Sequence, residues 1–188
     1  EKFNLEHIDM GKALREVAKQ NTPLGKEIYE IQNVENSLVP SRILREILAI
    51  KLASISQKKG IIFDGVPRTM DQVQYLEEEL LSQGRKINKV FFISIPKEES
   101  IRRISMRRVC EKCKAVLIMG KEIKSEKDPC PQCQGKVSHR EDDTEKGIKK
   151  RLELFEKETK PAVEYYRKKN VLTEIGGEKA VSEDFKEI

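Results

Sequence analysis

Two short runs of β-branched and aromatic residues, Ile61–Phe63 and Lys89–Pro96, stand on either side of a segment with helical spacing. That alternation constrains the fold more than any other feature of the chain. KVFFISIP (89–96) shows no polar alternation, so it reads as a strand buried on both faces, as in a parallel sheet covered by helices. The remaining segments fit that plan. Ala13, Leu14, Val17 and Ala18 give residues 1–20 a helical spacing, and LVPSRILREILAIKLA, from Leu38, opens a helix at Pro40 and Ser41 with Ile43, Leu44, Ile47, Leu48 and Ile50 on its apolar face. Val73, Leu76 and Leu80 mark a helix after the first strand, and EESIRRISMRRV (98–109) one after the second. Ile148, Leu152, Phe155, Val163 and Tyr166 mark a long helix that Pro161 should disturb, and NVLTEIGG (170–177) closes with a strand and a turn. Together these predict an α/β fold built on a doubly wound parallel sheet.

A chain of 188 residues suits one body with small inserts. Its charged residues are 37% of the total, but the signs are interspersed and sum to only +5, the pattern of a salt-bridged soluble surface and not of a nucleic-acid face. No apolar run has the length of a membrane span, and the start lacks a signal-peptide pattern. The expectation is a cytoplasmic monomer without nucleic-acid or membrane partners.

All four cysteines fall in a Gly/Pro/Lys-rich insert of about residues 110–139, as Cys110-x2-Cys113 and Cys130-x2-Cys133. Two such pairs can bring four thiolates onto one tetrahedral ion and leave no coordination position for water, so the site reads as structural, with zinc as the expected metal. A thioredoxin-type redox pair comes singly beside a βαβ unit, and a base-binding zinc knuckle would carry aromatic residues, which this insert lacks. The insert shows almost no apolar core, so the metal is expected to hold it together. His139 reads as a loop or hinge residue, and His7 carries no signal.

The stretch GIIFDGVPRTMDQ (60–72) runs from a strand into an acid, a glycine, a proline and an arginine within a few positions. Downstream, Arg103 and Arg107 stand four apart on the predicted helix 98–109 and so share a face, with Arg102 and Arg108 beside them. HREDDTEKGIKKRL (139–152) adds Arg140, the acid pair Asp142 and Asp143, and Arg151. Singly, each arginine suits a solvated, locally paired face. Together with Arg68, the set could converge on a ligand rich in planar oxygens, of which phosphate is the obvious one.

In these motifs the chain resembles the adenylate kinases whose lid carries a four-cysteine zinc site. Asp64, Gly65, Val66, Pro67, Arg68, Thr69 and Gln72 match that family's D-G-F/V-P-R-T-x-x-Q signature, and RRISMRRVCEKC, the second CxxC, REDD, IKKRL and KPAVEYYRKKNVLTEIGG follow in its order. The resemblance implies a nucleoside monophosphate kinase fold. Its core would be residues 1–9, 41–105 and 144–188, its helical monophosphate-binding insert 10–40, and its zinc-bearing lid 106–143. It implies reversible phosphoryl transfer from ATP to AMP. Asp64 would stand near the magnesium that accompanies ATP, and Arg15 and Arg68 would grip the monophosphate. Val39, Gly65 and Gln72 would line the acceptor site, and Arg103, Arg107, Arg140 and Arg151 would reach the phosphates from the lid and its hinges.

The chain departs from the family pattern in three places. No G-x4-G-K-[ST] occurs in its 188 residues, so a chain lacking the family's first segment and inactive in this form is expected. Met10-Gly11-Lys12 replaces T-G-D, which keeps kinases for other nucleoside monophosphates in view. NSLVPS replaces G-x-L-V-P-D, and Met106 stands where a glycine is usual. A non-catalytic nucleotide-binding homologue is the alternative from another class.

Overall fold

The structure is a computed structural model that describes residues 3–140 and 143–178. Two parallel strand pairs form its centre. β1 (Glu6–Asp9) pairs with β2 (Ile61–Asp64), and β3 (Val90–Ser94) pairs with β7 (Leu172–Gly176). The segment expected to form the lid holds a separate antiparallel sheet in the order β5 (Val116–Ile118), β4 (Arg107–Cys110), β6 (Val137–Ser138). The α/β class and the parallel pairing agree with the expectation.

Local chemistry explains where the helices begin. Asp9, Thr22, Thr69 and Thr144 each accept a hydrogen bond from a backbone N–H three residues on, which caps α1 (Met10–Ala18), α2 (Pro23–Tyr29), α4 (Met70–Ser82) and α6 (Glu145–Leu154). Pro40 introduces α3 (Ser41–Ala53), as its fixed φ favours. Gly25 lets α2 lie against the end of α1, because a Cβ there would fall 2.4 Å from the Gln20 carbonyl oxygen and 2.7 Å from that of Val17. The long C-terminal helix is interrupted where Pro161 was expected to disturb it. α6 passes through a π-helical stretch, Phe155–Thr159, into α7 (Lys160–Lys168).

The main core lies between β1–β2 and the helices α1, α3 and α4, where Ile28, Ile43 and Leu48 have no exposed surface. A second cluster seats Val73 of α4 on Ala162 and Tyr166 of α7, packed against Val90 of β3. Strand β3 is not buried on both faces. Val90 and Phe92 face α7 and the Phe155 ring, which stacks on Phe92 at 6.0 Å, but Phe91 and Ile93 on the other face are exposed. The α7 cluster and the Phe155 ring cover only the Val90/Phe92 face.

Three other expectations need correction. Residues 1–20 are not helical throughout, because Glu6–Asp9 enter the sheet beside β2 before α1 begins. The helix expected over 98–109 ends at Met106 as α5 (Lys97–Met106), and Arg107–Cys110 form β4, with Arg107 opposite Ile118 and Val109 opposite Val116 and Ser138. Arg103 and Arg107 therefore do not share a helix face. The lid also has an apolar core, in which Leu117, Ile123 and Val137 pack with Cys110 and Cys130.

Leu48 sits in the middle of the main core with no exposed surface. Leu48→Ala should lower the unfolding free energy by about 3 kcal/mol through lost burial plus a cavity. The check is the urea midpoint, at unchanged slope.

Candidate active site

Parallel pairing places Asp9 opposite Asp64 at the carboxyl ends of β1 and β2. Ligand sites of open α/β sheets form at such strand ends. Immediately beyond, Gly65 adopts a φ of +80°, a conformation that favours glycine, and a Cβ there would lie 3.3 Å from an Arg68 guanidinium nitrogen. The Arg15 guanidinium occupies the corresponding place over Gly11, at 3.0 Å from where its Cβ would be. The two arginines thus stand over the paired strand ends. His7 joins them, its Nε2 lying 3.5 Å from a carboxylate oxygen of Asp64.

Arg68 has protein on most sides, yet by accessible surface it is exposed to solvent. Burial pulls its pKa below the ordinary arginine value, and the positive charges of Arg151, Arg140 and Arg15 add to that, against the attraction of Asp64. An arginine stays protonated through such a shift. The consequence is a concentration of positive charge, and among the described residues the Arg68 guanidinium makes no hydrogen bond or ion pair of its own. A phosphate, with oxygens for several guanidinium forks, is the ligand that suits it.

Below Arg68, Gln72 is almost fully buried on the first turn of α4. Its Oε1 accepts the Arg68 backbone N–H at 2.7 Å, which fixes the amide orientation and leaves Nε2 as a donor without a partner among the described residues. Gln72 and Val39 line one cavity of about 500 Å³, together with Leu38, Thr69 and Leu154. That cavity is large enough for a base and lies beside the Arg68 loop.

The lid joins the core through a buried carboxylate. Asp143 has no exposed side-chain surface, and it accepts from Arg107 at 2.7 Å (Nε) and 2.5 Å (Nη2) and from Arg151 at 2.8 Å. One acid therefore couples β4 of the lid to α6 of the core. Arg103 does not join this group. It binds Glu99 at 2.6 Å within α5, as Arg102 does at 2.7 Å, and these two arginines hold the Glu99 carboxyl down at about 2. Arg140 enters through its charge on Arg68. Of the expected acid pair, Asp142 lies outside the described residues.

The four cysteine sulfurs lie within 4.8 Å of one another, with Cys110–Cys133 at 3.4 Å and Cys113–Cys130 at 3.7 Å. A tetrahedral ion with metal–sulfur bonds of ~2.3 Å needs sulfur–sulfur edges of about 3.8 Å, so the donor set and its spacing fit a thiophilic metal. The two knuckles are built alike. Cys110 and Cys130 accept back-bonds at their carbonyls from Lys114 and Gln134, which both take a left-handed φ. The Cys113 backbone N–H, then that of Lys112 and the neighbouring thiols, pull the Cys110 thiol down to about 6 against the effect of burial, while contact with the other thiols pushes Cys113 up to about 12.

Asp9 and His7 were given no role from the sequence, and Asp143 was read only as half of an acid pair. Asp9 could have been found as a helix N-cap ahead of the Ala13/Leu14/Val17 periodicity, but nothing local marks its pairing with Asp64. His7 was assigned no role, because its contact with Asp64 is made across two strands. Asp143 was noted as part of an acid pair, but its burial between two arginines is a tertiary fact.

A strand-end cleft of converging arginines, a base-sized cavity and a small sheet bearing a four-cysteine cluster fit the class of nucleoside monophosphate kinases. The adenylate kinase family model matches residues 1–171. The chain is 37% identical over 187 residues to the adenylate kinase of Caldicellulosiruptor saccharolyticus, covering all of this chain and 86% of that relative. It is 37% identical over 183 residues to that of Methanocella arvoryzae (97% of this chain, 84% of the relative) and 35% over 188 residues to that of Archaeoglobus fulgidus (100% and 86%). The chain belongs to the adenylate kinase family, a family of phosphotransferases.

Cys130→Ser should abolish stoichiometric metal and leave residues 110–139 open to protease while the core stays folded. Metal analysis with limited proteolysis checks this; full metal content and intact lid protection in the variant would contradict it.

Proposed function

We propose that the cleft transfers the γ-phosphoryl group of ATP to AMP, giving two ADP, and that Arg68 is the centre of the acceptor site. The observation that carries the reading is the convergence of Arg15, Arg140 and Arg151 on Arg68 at the ends of β1 and β2. Arg15 and Arg68 grip the monophosphate, and the close approach at Gly65 keeps its path open. An AMP phosphate oxygen attacks the γ-phosphorus as the bond to the β–γ bridging oxygen breaks. Arg107, Arg140 and Arg151 spread positive charge around the equatorial oxygens, with Arg103 reaching the donor once it leaves Glu99. Lid closure over these groups excludes water that would otherwise hydrolyse ATP.

Asp64, exposed and beside Asp9, offers hard oxygen ligands that suit a hydrated magnesium carried by ATP, and that ion would screen the β- and γ-oxygens. Zinc suits the four thiolates of the lid, where it would act structurally. In this reading residues 1–9, 41–105 and 144–188 form the core, 10–40 the monophosphate-binding insert and 106–143 the lid. The protein acts as a cytoplasmic monomer; no helix of the described residues is long and apolar enough to cross a membrane.

Gln72 gives the acceptor site its base preference. Its outward donor Nε2 matches N1 of adenine, an acceptor, and opposes N1–H of guanine, a donor. Met10 is buried and Lys12 is exposed, so neither of these departures from the family pattern replaces that contact.

Two measurements of ADP formation test the reading, on the protein as expressed from its own gene. Arg68→Lys should lower kcat/KM by at least about tenfold, because an ammonium cannot reproduce the fork. Gln72→Glu keeps the acceptor for Arg68 N–H but turns the outward donor into an acceptor. It should lower kcat/KM for AMP about 30-fold, ~2 kcal/mol, and narrow the preference for AMP over GMP. Wild-type behaviour of Arg68→Lys would remove Arg68 from the site, and an unchanged AMP/GMP ratio in Gln72→Glu would remove Gln72 from base recognition.

A further inference from the structure

The antiparallel register of β4 and β6 pairs Cys110 with Val137 and Val109 with Ser138. One step further it sets Arg108 opposite His139, and a second step sets Arg107 opposite Arg140. Side chains alternate along a strand, so Arg108 and His139 fall on one face of this ladder and Arg107 and Arg140 on the other. On the first face a single carboxylate joins the two strands. Glu126 accepts from Arg108 Nε at 2.8 Å and Nη2 at 2.7 Å, and from His139 Nε2 at 2.7 Å. The Arg108 hydrogen bond holds the Glu126 carboxyl below the usual carboxylate range, against the effect of burial. An ionised carboxylate only accepts, so His139 carries a proton on Nε2.

An ion pair between two exposed groups contributes little, but one partner here is buried. The Arg108 side chain is 9% exposed, and its remaining hydrogen bonds go to the carbonyls of Ser105 at 2.9 Å and Arg107 at 2.8 Å. Glu126 is therefore the acid that meets its charge. Those carbonyls flank Met106, where α5 gives way to β4, so Arg108 also fixes the chain's entry into the sheet. Glu126 is itself held in place, because Asp128 accepts the backbone N–H groups of Lys124 and Ser125 at 2.8 and 2.9 Å and closes a turn between buried Ile123 and buried Cys130. On the other face, Arg107 and Arg140 are like charges at facing positions, which loosens a ladder unless something draws its strands together. Glu126 draws them together from behind. We propose that Glu126 is a positioning residue for phosphoryl transfer, a clasp on the two strands that brings Arg107 and Arg140 to the transferring group as a pair. The proposal rests on the phosphoryl-transfer reading and adds to it a residue that touches no substrate.

The test is ADP formation by the protein as expressed from its own gene. Glu126→Gln keeps the size of the side chain and removes its charge. Its kcat should fall about tenfold, while the Kd of AMP, the bound metal and the protease resistance of residues 110–139 stay as in the unaltered protein. His139→Ala leaves the Arg108–Glu126 pair in place and should lower kcat about threefold in the same pattern. In an Arg140→Ala background Glu126→Gln should cost at most about twofold, because the pair it positions is already broken, whereas a merely structural role would cost the full tenfold there. Unchanged kcat in Glu126→Gln and His139→Ala, loss of metal or of lid protection in both, or a full tenfold cost in the Arg140→Ala background would overturn the clasp while ADP formation by the unaltered protein stands. No ADP formation from ATP and AMP by the unaltered protein would overturn the phosphoryl-transfer reading, and the clasp with it.

Discussion

The arrangement rests on gathering like charges in one cleft. Two unit charges about 7 Å apart repel by roughly 2 kcal/mol at an effective dielectric constant of ~20, and Arg68 faces Arg15, Arg140 and Arg151 together. The fold tolerates this because acids are placed between the cations. Asp64 attracts Arg68 at the strand end, and Asp143 joins Arg107 to Arg151. A phosphate held among these guanidiniums would add further compensating charge.

Everything around the cluster serves to hold it in place. Parallel pairing aligns Asp9 with Asp64, caps set where α1 and α4 begin, and a tightly packed apolar core fixes both helices behind the strands. On the other side, Asp143 ties the first strand of the lid to α6. The lid itself is small, and its apolar cluster of Leu117, Ile123 and Val137 is built around the cysteines. The four sulfurs would let a thiophilic metal reinforce that cluster.

Much of this was legible in the sequence. The strand at Ile61, the helix from Ser41, the break near Pro161 and the cysteine site follow from local patterns, because each depends on periodicity, capping or ligand spacing that neighbours in sequence carry. The failures are all tertiary. Met106 to Arg107 changes from helix to strand because β5 and β6 offer backbone partners there, which no local propensity signals. Asp143 resembles any surface acid until two arginines close over it. Phe91 and Ile93 look like core residues in a run of apolar side chains, yet only one face of β3 is covered by helix. Gln72 was placed by its motif, but its donor direction came from the Arg68 N–H.

The central claim is that the positive charge gathered at the ends of β1 and β2 recognises the acceptor through its phosphate. Calorimetric titration of AMP and of adenosine at low and at high salt tests it most directly. The account predicts that AMP binds at least about a hundredfold more tightly than adenosine at low salt and that raising the salt removes most of the difference. Equal affinities for the two, or an AMP affinity indifferent to salt, would contradict it.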